Sequence, residues 1–128
     1  GNQNGALVQH LVKDDLVVAG NILANDRVLT QMMDGFHNGR GDLADKLLAA
    51  LRSGAKAGGD SRGLMSAAML IVAQDSPTLT LRVDYDEKPI DKLESLLALT
   101  RDPAYSQWLD VLPTIDRPHG VGASKKSA

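Results

Sequence analysis

The chain has 128 residues, 43% of them hydrophobic, and a formal net charge of −2 at neutral pH. This length suffices for one domain with a modest core, and the nearly balanced charge gives no electrostatic reason to expect nucleic acid or an anionic membrane as a partner. The absence of cysteine excludes disulfides and thiolate metal sites. It fits a reducing compartment, so we expect a cytoplasmic location.

The chain begins GNQNG, without Met, and soon enters a strand-like pattern. One explanation is a tag remnant or trimming. The other is that the chain is the C-terminal part of a longer protein.

Residues 6–12 and 16–22 are apolar runs rich in β-branched side chains, and Lys13, Asp14 and Asp15 separate them. Polar turn residues between two such runs predict a β-hairpin. Asn25 is then an expected N-cap of the first helix, with Asp26 complementing the helix dipole.

Two helices are predicted next. The first carries apolar residues at helical spacing and stops at residues 38–41. The second is capped by Asp42 and carries an apolar stripe that should face a sheet. That stripe consists of Leu43, Leu47, Leu51 and Ala55, widened by Leu48.

Residues 64–73 form a nearly continuous apolar run, which predicts a strand buried on both faces. After a turn at 74–77, residues 79–85 alternate like a strand with one wetter face. Pro89 suits the first turn of a third helix. Asp102 and Pro103 should start a fourth, whose apolar side carries Tyr105, Trp108, Leu109 and Leu112.

This order of elements predicts an α+β fold, with helices layered on a mostly antiparallel sheet. Residues 1–113 should form a single α+β domain that is part of a larger one. Residues 114–128 are rich in Gly, Ser and Lys and are expected to form a flexible tail.

Several segments, taken in order, resemble the C-terminal half of the bacterial domain-of-unknown-function family 1028 over residues 16–99. They are VAGNIL at 18–23, LADKLLAAL at 43–51, AGGDSRG at 57–63, SAA at 66–68 and LRVD at 81–84. The resemblance implies a fold like the N-terminal-nucleophile (Ntn) hydrolases, a four-layer αββα sandwich. Such enzymes use the amine and side chain of their first residue as base and nucleophile.

The resemblance also implies that the nucleophile lies on an N-terminal half that this chain does not contain. Gly1 has no side chain and cannot replace it. The expected partner is therefore the N-terminal half of the same protein or a second copy of the chain, and a homo-oligomer is expected. Met65 stands where the family often has Gln, and residues 85–89 lack the family's His.

Four residues are candidates for chemistry. Asp60 and Arg62 can form a charged hydrogen-bond pair of fixed geometry, and the Ser66 hydroxyl can pass a proton to or from a free amine. Asn21, at a strand end, can donate to a developing oxyanion. The structural alternatives are a surface turn for Asp60 and Arg62, a hydrogen-bonded strand residue for Ser66 and a capping or left-handed conformation for Asn21.

His10, His37 and His119 are scattered and lack metal-ligand spacing, and no dinucleotide or phosphate-loop motif is present, so no cofactor or metal is expected. Two functions remain open. The first is a hydrolase-like protein acting on an amide or related C–N bond, with its nucleophile on the absent half. The alternative is a non-catalytic module for assembly or small-molecule binding that reuses the fold. A small-molecule substrate suits either function, whereas nucleic acid and membranes are not expected partners.

Overall fold

A computed structural model describes residues 9–104 of the chain. Within this range the elements are β1 (Gln9–Lys13), β2 (Leu16–Gly20), α1 (Val28–Asn38), α2 (Leu43–Lys56), β3 (Ala67–Ala73), β4 (Ser76–Val83) and α3 (Pro89–Thr100). No helix in this part of the chain combines the length and apolar character needed to cross a membrane. The three helices and four strands found within residues 9–104 confirm the predicted α+β class.

The strands form two antiparallel hairpins. In the first, β1 pairs with β2, and Lys13 opposite Leu16 closes the ladder around a two-residue turn. In the second, β3 pairs with β4, with an irregularity between Ile71 and Ala73. Antiparallel pairing was expected, and within residues 9–104 the two hairpins form separate two-stranded sheets.

The segment before α1 differs from the expected cap. The N-cap of α1 is Arg27, so the prediction of Asn25 as N-cap is wrong. The Asn25 side chain instead accepts the Arg27 backbone N–H at 2.9 Å and donates to the Ala57 carbonyl at 2.6 Å. Asn25 therefore ties the start of α1 to the end of α2, a tertiary role that local sequence signals do not reveal.

Helix α2 begins as expected. The Asp42 side chain accepts the Asp45 N–H, and the Asp45 side chain accepts the Asp42 N–H, both at 3.1 Å, which makes a capping box. A Cβ atom at Gly35 would lie 2.8 Å from the Ala49 carbonyl oxygen, too close for any side chain. The glycine therefore lets α1 approach the backbone of α2 closely.

The helices cover one face of each hairpin. Val18 of β2 packs with Leu29 and Met33 of α1. The larger core joins α2 and α3 to the second hairpin, and its buried members are Ala44, Leu48, Met69, Leu81, Val83, Ile90, Leu93 and Leu97. The predicted stripe of α2 is wrong at both ends, because Leu43 and Ala55 are exposed while Ala44 and Gly54 are buried.

The prediction for residues 64–73 is wrong in two respects. Strand β3 begins at Ala67, and its side chains alternate, with Met69 buried while Leu70 and Val72 are 62% and 65% exposed. The inward side chains pack on α2 and α3. The outward ones remain exposed because no element among residues 9–104 covers that face. Val12 and Val17, which are cross-strand partners, are exposed on the first hairpin in the same way.

Two arginine clusters hold α2 and α3 antiparallel. Near the end of α2, Arg52 donates to Asp91 at 2.8 Å and also bonds Glu94, both at the start of α3. After α3, Arg101 donates to Asp45 at 2.9 Å and to Asp42 at 3.0 Å, at the start of α2. The Arg101 guanidinium holds the pKa of Asp45 below its usual value.

The last predicted helix is described only at its start. The Asp102 side chain accepts the Ala104 N–H at 2.9 Å, as an N-cap residue does. The apolar side chains predicted on that helix and the predicted tail at 114–128 lie outside the described residues, and the predicted domain boundaries stay predictions.

Candidate functional site

The glycine-rich segment after α2 is fixed against the segment after β2. The Ala24 N–H donates to the Gly59 carbonyl at 2.9 Å, and the Ser61 N–H donates to the Ile22 carbonyl at 2.8 Å. Gly58 has φ +128°, and a Cβ there would lie 2.8 Å from that of Ala24, so only glycine fits. Residues 21–24 and 58–62 therefore form one unit, although they are far apart in sequence.

Asp60 and Arg62 form the predicted pair within this unit. Arg62 Nε donates to Asp60 Oδ1 at 2.9 Å, and Arg62 Nη2 donates to Oδ2 at 2.6 Å. The Arg62 backbone N–H also donates to Oδ1, at 2.7 Å. These bonds hold the guanidinium in one plane with the carboxylate and leave the Nη1 hydrogen atoms unused by the pair.

The electrostatics of the pair follow from its geometry. The Asp60 side chain is 25% exposed and that of Arg62 is 67% exposed, so the carboxylate is the more sheltered member. The side-chain and backbone hydrogen bonds from Arg62, with its positive charge, lower the pKa of Asp60 to about 2. Asp60 is therefore an anion at neutral pH and acts as an anchor for Arg62 instead of a proton donor.

Asn21 is the first residue of the 21–24 segment, which is joined by backbone hydrogen bonds to the segment that holds this pair. It is half-buried and stands between Gly20, the last residue of β2, and Ile22, whose carbonyl accepts the Ser61 N–H. The backbone at Ile22 has φ +54°, a conformation that β-branched residues rarely adopt. Such strain costs on the order of 1–3 kcal/mol and tends to occur at functional sites. Sequence reasoning missed Ile22, because no sequence signal marks an isoleucine with positive φ.

Ser66 is exposed and lies apart from the pair. It immediately precedes β3, next to Met65, whose carbonyl accepts the Asp86 N–H at 2.9 Å. No hydrogen bond within residues 9–104 joins the Ser66 side chain to Asn21, Asp60 or Arg62. The structure therefore groups three of the four predicted residues along the 21–24 and 58–62 unit and leaves Ser66 at the start of the neighbouring strand.

A groove of about 360 Å³ lies between β2 and β3. It is lined by residues 16–19 of β2, by residues 68–70 of β3 and by residues of α1 and α2. Neither Asn21, which follows β2, nor Ser66, which precedes β3, is among the residues that line this groove. We call it the β2–β3 groove.

The described histidines take no part in this unit. His37 Nε2 lies 3.8 Å from Asp14 Oδ2 at the hairpin turn. His10 lies on β1, and His119 is outside the described residues. Within residues 9–104, no group of three or more His, Asp or Glu side chains is arranged to hold a metal ion.

The pH dependence of Asp60 is testable. We expect the Asp60 carboxyl to titrate near pH 2 in an NMR titration. In Arg62→Gln, the midpoint should rise toward the unperturbed value of about 3.9. Since the folded pKa lies below the unfolded one, the pair stabilises the fold above about pH 4 and loses that effect as the pH falls toward 2. Equal midpoints in both proteins would show that Arg62 does not hold the carboxylate in solution.

Comparison with known proteins gives a family and a related structure. Residues 1–93 match the model of a family of unknown function, DUF1028. The crystal structure of protein SPO2555 from Silicibacter pomeroyi, assigned to DUF1028, is similar with a TM-score of 0.83 and 30% sequence identity. The alignment covers 94% of this chain and 52% of that protein, so the chain spans about half its length. No curated protein matches the chain.

Proposed function

The chain belongs to the DUF1028 family, and from that membership we propose that it forms one part of an Ntn-type hydrolase for an amide or related C–N bond. In this proposal, the chain corresponds to the C-terminal part of an αββα sandwich. The nucleophile comes from the part of the protein that this chain does not contain. The observation that carries the proposal is the unit in which backbone hydrogen bonds join the segment that contains Asn21 to the segment that holds the Asp60–Arg62 pair.

Each side chain has a distinct task. The Asn21 amide donates to the oxyanion that develops when a nucleophilic hydroxyl or thiol attacks the amide carbon. Arg62, held by Asp60, directs its remaining N–H groups toward a carbonyl or carboxylate of the substrate. Ser66 steadies the free amine that serves as base. Asp60 is thus a positioning residue, because it acts through Arg62.

The proposed reaction is an acyl transfer to the nucleophile followed by hydrolysis of the acyl-enzyme. The proton of the attacking group moves to the free amine as the new bond to the acyl carbon forms. The amine then delivers this proton to the leaving nitrogen as the C–N bond breaks. Water attacks the acyl-enzyme and loses a proton to the same amine, which passes it to the nucleophile as the ester or thioester bond breaks and the carboxylic acid leaves. This chain contributes binding, orientation and stabilisation of negative charge.

The alternative is a module for assembly or small-molecule binding. The exposed apolar side chains on both hairpins favour assembly, because they offer a partner an apolar surface. They are Val12, Val17, Leu70 and Val72. The partner is the other part of the protein or a second copy. The two functions differ in whether the assembled protein breaks a bond.

Activity of the completed protein tests the proposal. We expect the chain alone to cleave no amide, and the chain joined to the remaining part of the Silicibacter protein to cleave at least one member of a panel of small amides. Release of ammonia or amine is the measurement. The control carries Ala in place of the first nucleophilic residue of the added part, and it should be inactive. A complex that forms but cleaves nothing in the panel would favour the assembly module.

A further inference from the structure

The guanidinium of Arg62 has two outer edges that can each hold a carboxylate, and Asp60 occupies one of them. This carboxylate accepts from Nε and Nη2, which form the side edge of the group. The end edge consists of an N–H of Nη1 and the second N–H of Nη2. Among residues 9–104, no carboxylate is paired with this end edge. A second planar acceptor therefore fits there with two parallel hydrogen bonds.

The other arginines that form ion pairs within residues 9–104 use their N–H groups differently. Arg52 and Arg101 each direct Nη1 and Nη2 to carboxylates of two different residues, so their end edges are already filled. Arg82 bonds Asp84 through Nη2 alone, which leaves its guanidinium without a fixed orientation. Only Arg62 in this set combines a side edge that is held by two bonds with an end edge that is unused.

The position of Arg62 is fixed through its backbone as well as its side chain. The Gly63 N–H donates to the Asp60 carbonyl at 3.0 Å, and the Arg62 N–H donates to the Asp60 side chain at 2.7 Å, so Arg62 lies within a tight turn. Asp60 in turn lies opposite Leu23 in an antiparallel bridge. An arginine that is fixed before a ligand arrives loses less conformational freedom on binding, which favours affinity.

We propose that the end edge of Arg62 binds a carboxylate, so that the substrate is an amide that also carries a free acid group. This inference rests on the proposed function, which supplies the amide, and it adds the charged group by which this chain recognises the substrate. The Arg62 side chain is 67% exposed, so a ligand can reach it. Arg62 binds and orients the acid group, and no bond forms or breaks there.

The charge of the unit favours a carboxylate over a phosphate. Arg62 is the only cationic side chain in the 21–24 and 58–62 unit, and Asp60, which is ionised at neutral pH, lies next to it. A guanidinium whose charge is already partly balanced suits a ligand with one negative charge better than a phosphate group with nearly two. The β2–β3 groove does not compete for such a ligand, because the described residues that line it are apolar.

An NMR titration of the full chain with acetate tests the inference. The observed signal is the side-chain Nε–H of Arg62, and sodium chloride keeps the ionic strength constant. We expect a saturable shift with acetate and little shift with acetamide, which has the same shape but no charge. A shift no larger with acetate than with acetamide would overturn the proposal. Saturation at a lower concentration of inorganic phosphate than of acetate would overturn the choice of a carboxylate.

Arg82 provides the matched control in the same spectra. Its side chain is 68% exposed, close to the value for Arg62, and it also bonds an aspartate two positions away. Because Arg82 is held by a single bond, its Nε–H signal should show no saturable response to acetate. An equal response of the two arginines would indicate the pairing that any exposed arginine can make, and it would contradict the inference.

In the assembled protein, the acid group of the substrate should act mainly through KM. An N-acyl amino acid is compared with its methyl ester, and release of the amine is measured. We expect kcat/KM to be higher for the acid by about tenfold or more, as charge-assisted hydrogen bonds allow. Arg62→Gln should abolish this preference and Arg82→Gln should retain it. Equal kcat/KM values for acid and ester in the unaltered protein would overturn the proposal.

The two tests distinguish this inference from the hydrolase proposal. Selective binding of acetate at Arg62 in an assembled protein that cleaves no amide would support the carboxylate site and contradict hydrolysis. Cleavage of amides without a preference for the acid would support hydrolysis and contradict the carboxylate site.

Discussion

Replacing Leu93 by Ala is expected to lower the free energy of unfolding by about 3 kcal/mol, within the usual range for a buried leucine. Leu93 is completely buried and belongs to the core that joins α2, α3 and the second hairpin. Truncation removes apolar contacts and leaves a cavity between elements that cannot easily collapse. Urea denaturation followed by circular dichroism measures the change.

Two substitutions control for effects other than the cavity. Lys92→Ala changes the neighbouring exposed position of α3 and should shift stability by less than about 0.5 kcal/mol. Leu93→Met conserves most of the volume and should cost less than about 1.5 kcal/mol. If Leu93→Ala were no more destabilising than Lys92→Ala, α3 would not share the core.

The second large effect concerns Asn21. In the assembled protein, Asn21→Ala is expected to lower kcat by about 10²–10³, the range for loss of one oxyanion donor, with a smaller change in KM. Asn21→Asp should act similarly, because it keeps the shape and removes both N–H donors. Steady-state kinetics on the amide that the assembled protein cleaves gives both parameters.

The matched control is Asn38→Ala, at the exposed end of α1 and outside the 21–24 and 58–62 unit. It should leave kcat unchanged. An Asn21→Ala protein with normal kcat and raised KM would assign Asn21 to ground-state binding, and one with both parameters normal would remove it from the site.

Local signals in the sequence were sufficient for most elements. The polar turn between two β-branched runs predicts the first hairpin, and Asp42 and Pro89 mark the starts of α2 and α3 as the structure has them. Each of these signals acts within a few residues, so the sequence alone contains the information. The prediction for Asn25 failed because its side chain donates to the Ala57 carbonyl, 32 positions away in the sequence, and local signals do not show such a contact.

Burial of β3 required information that the local sequence lacks. An apolar run reads the same whether one face or both are covered, and the packing partners decide which. Residues 9–104 cover only the side that carries Met69. The exposed Leu70 and Val72 are consistent with the proposal that a further part of the protein lies against this face.

The candidate site was predictable in composition but not in arrangement. Asp60 and Arg62 are two residues apart in a glycine-rich turn, a spacing at which a carboxylate and a guanidinium meet easily. Backbone hydrogen bonds between distant parts of the chain join their segment to the one that contains Asn21 and Ile22, whose φ is positive. These features arise from tertiary structure and leave no pattern in a single sequence.

The arginine clusters at both ends of the α2–α3 pair have a consequence for how these helices respond to ionic strength. Arg52 and Arg101 bond carboxylates that water reaches, and dissolved salt shortens the range of such attractions from about 10 Å at 0.1 M to about 3 Å at 1 M. Leu93 and its neighbours between the clusters are held by apolar burial, which this screening does not weaken. Concentrated salt should therefore loosen the two ends of the helix pair first, while its middle stays packed.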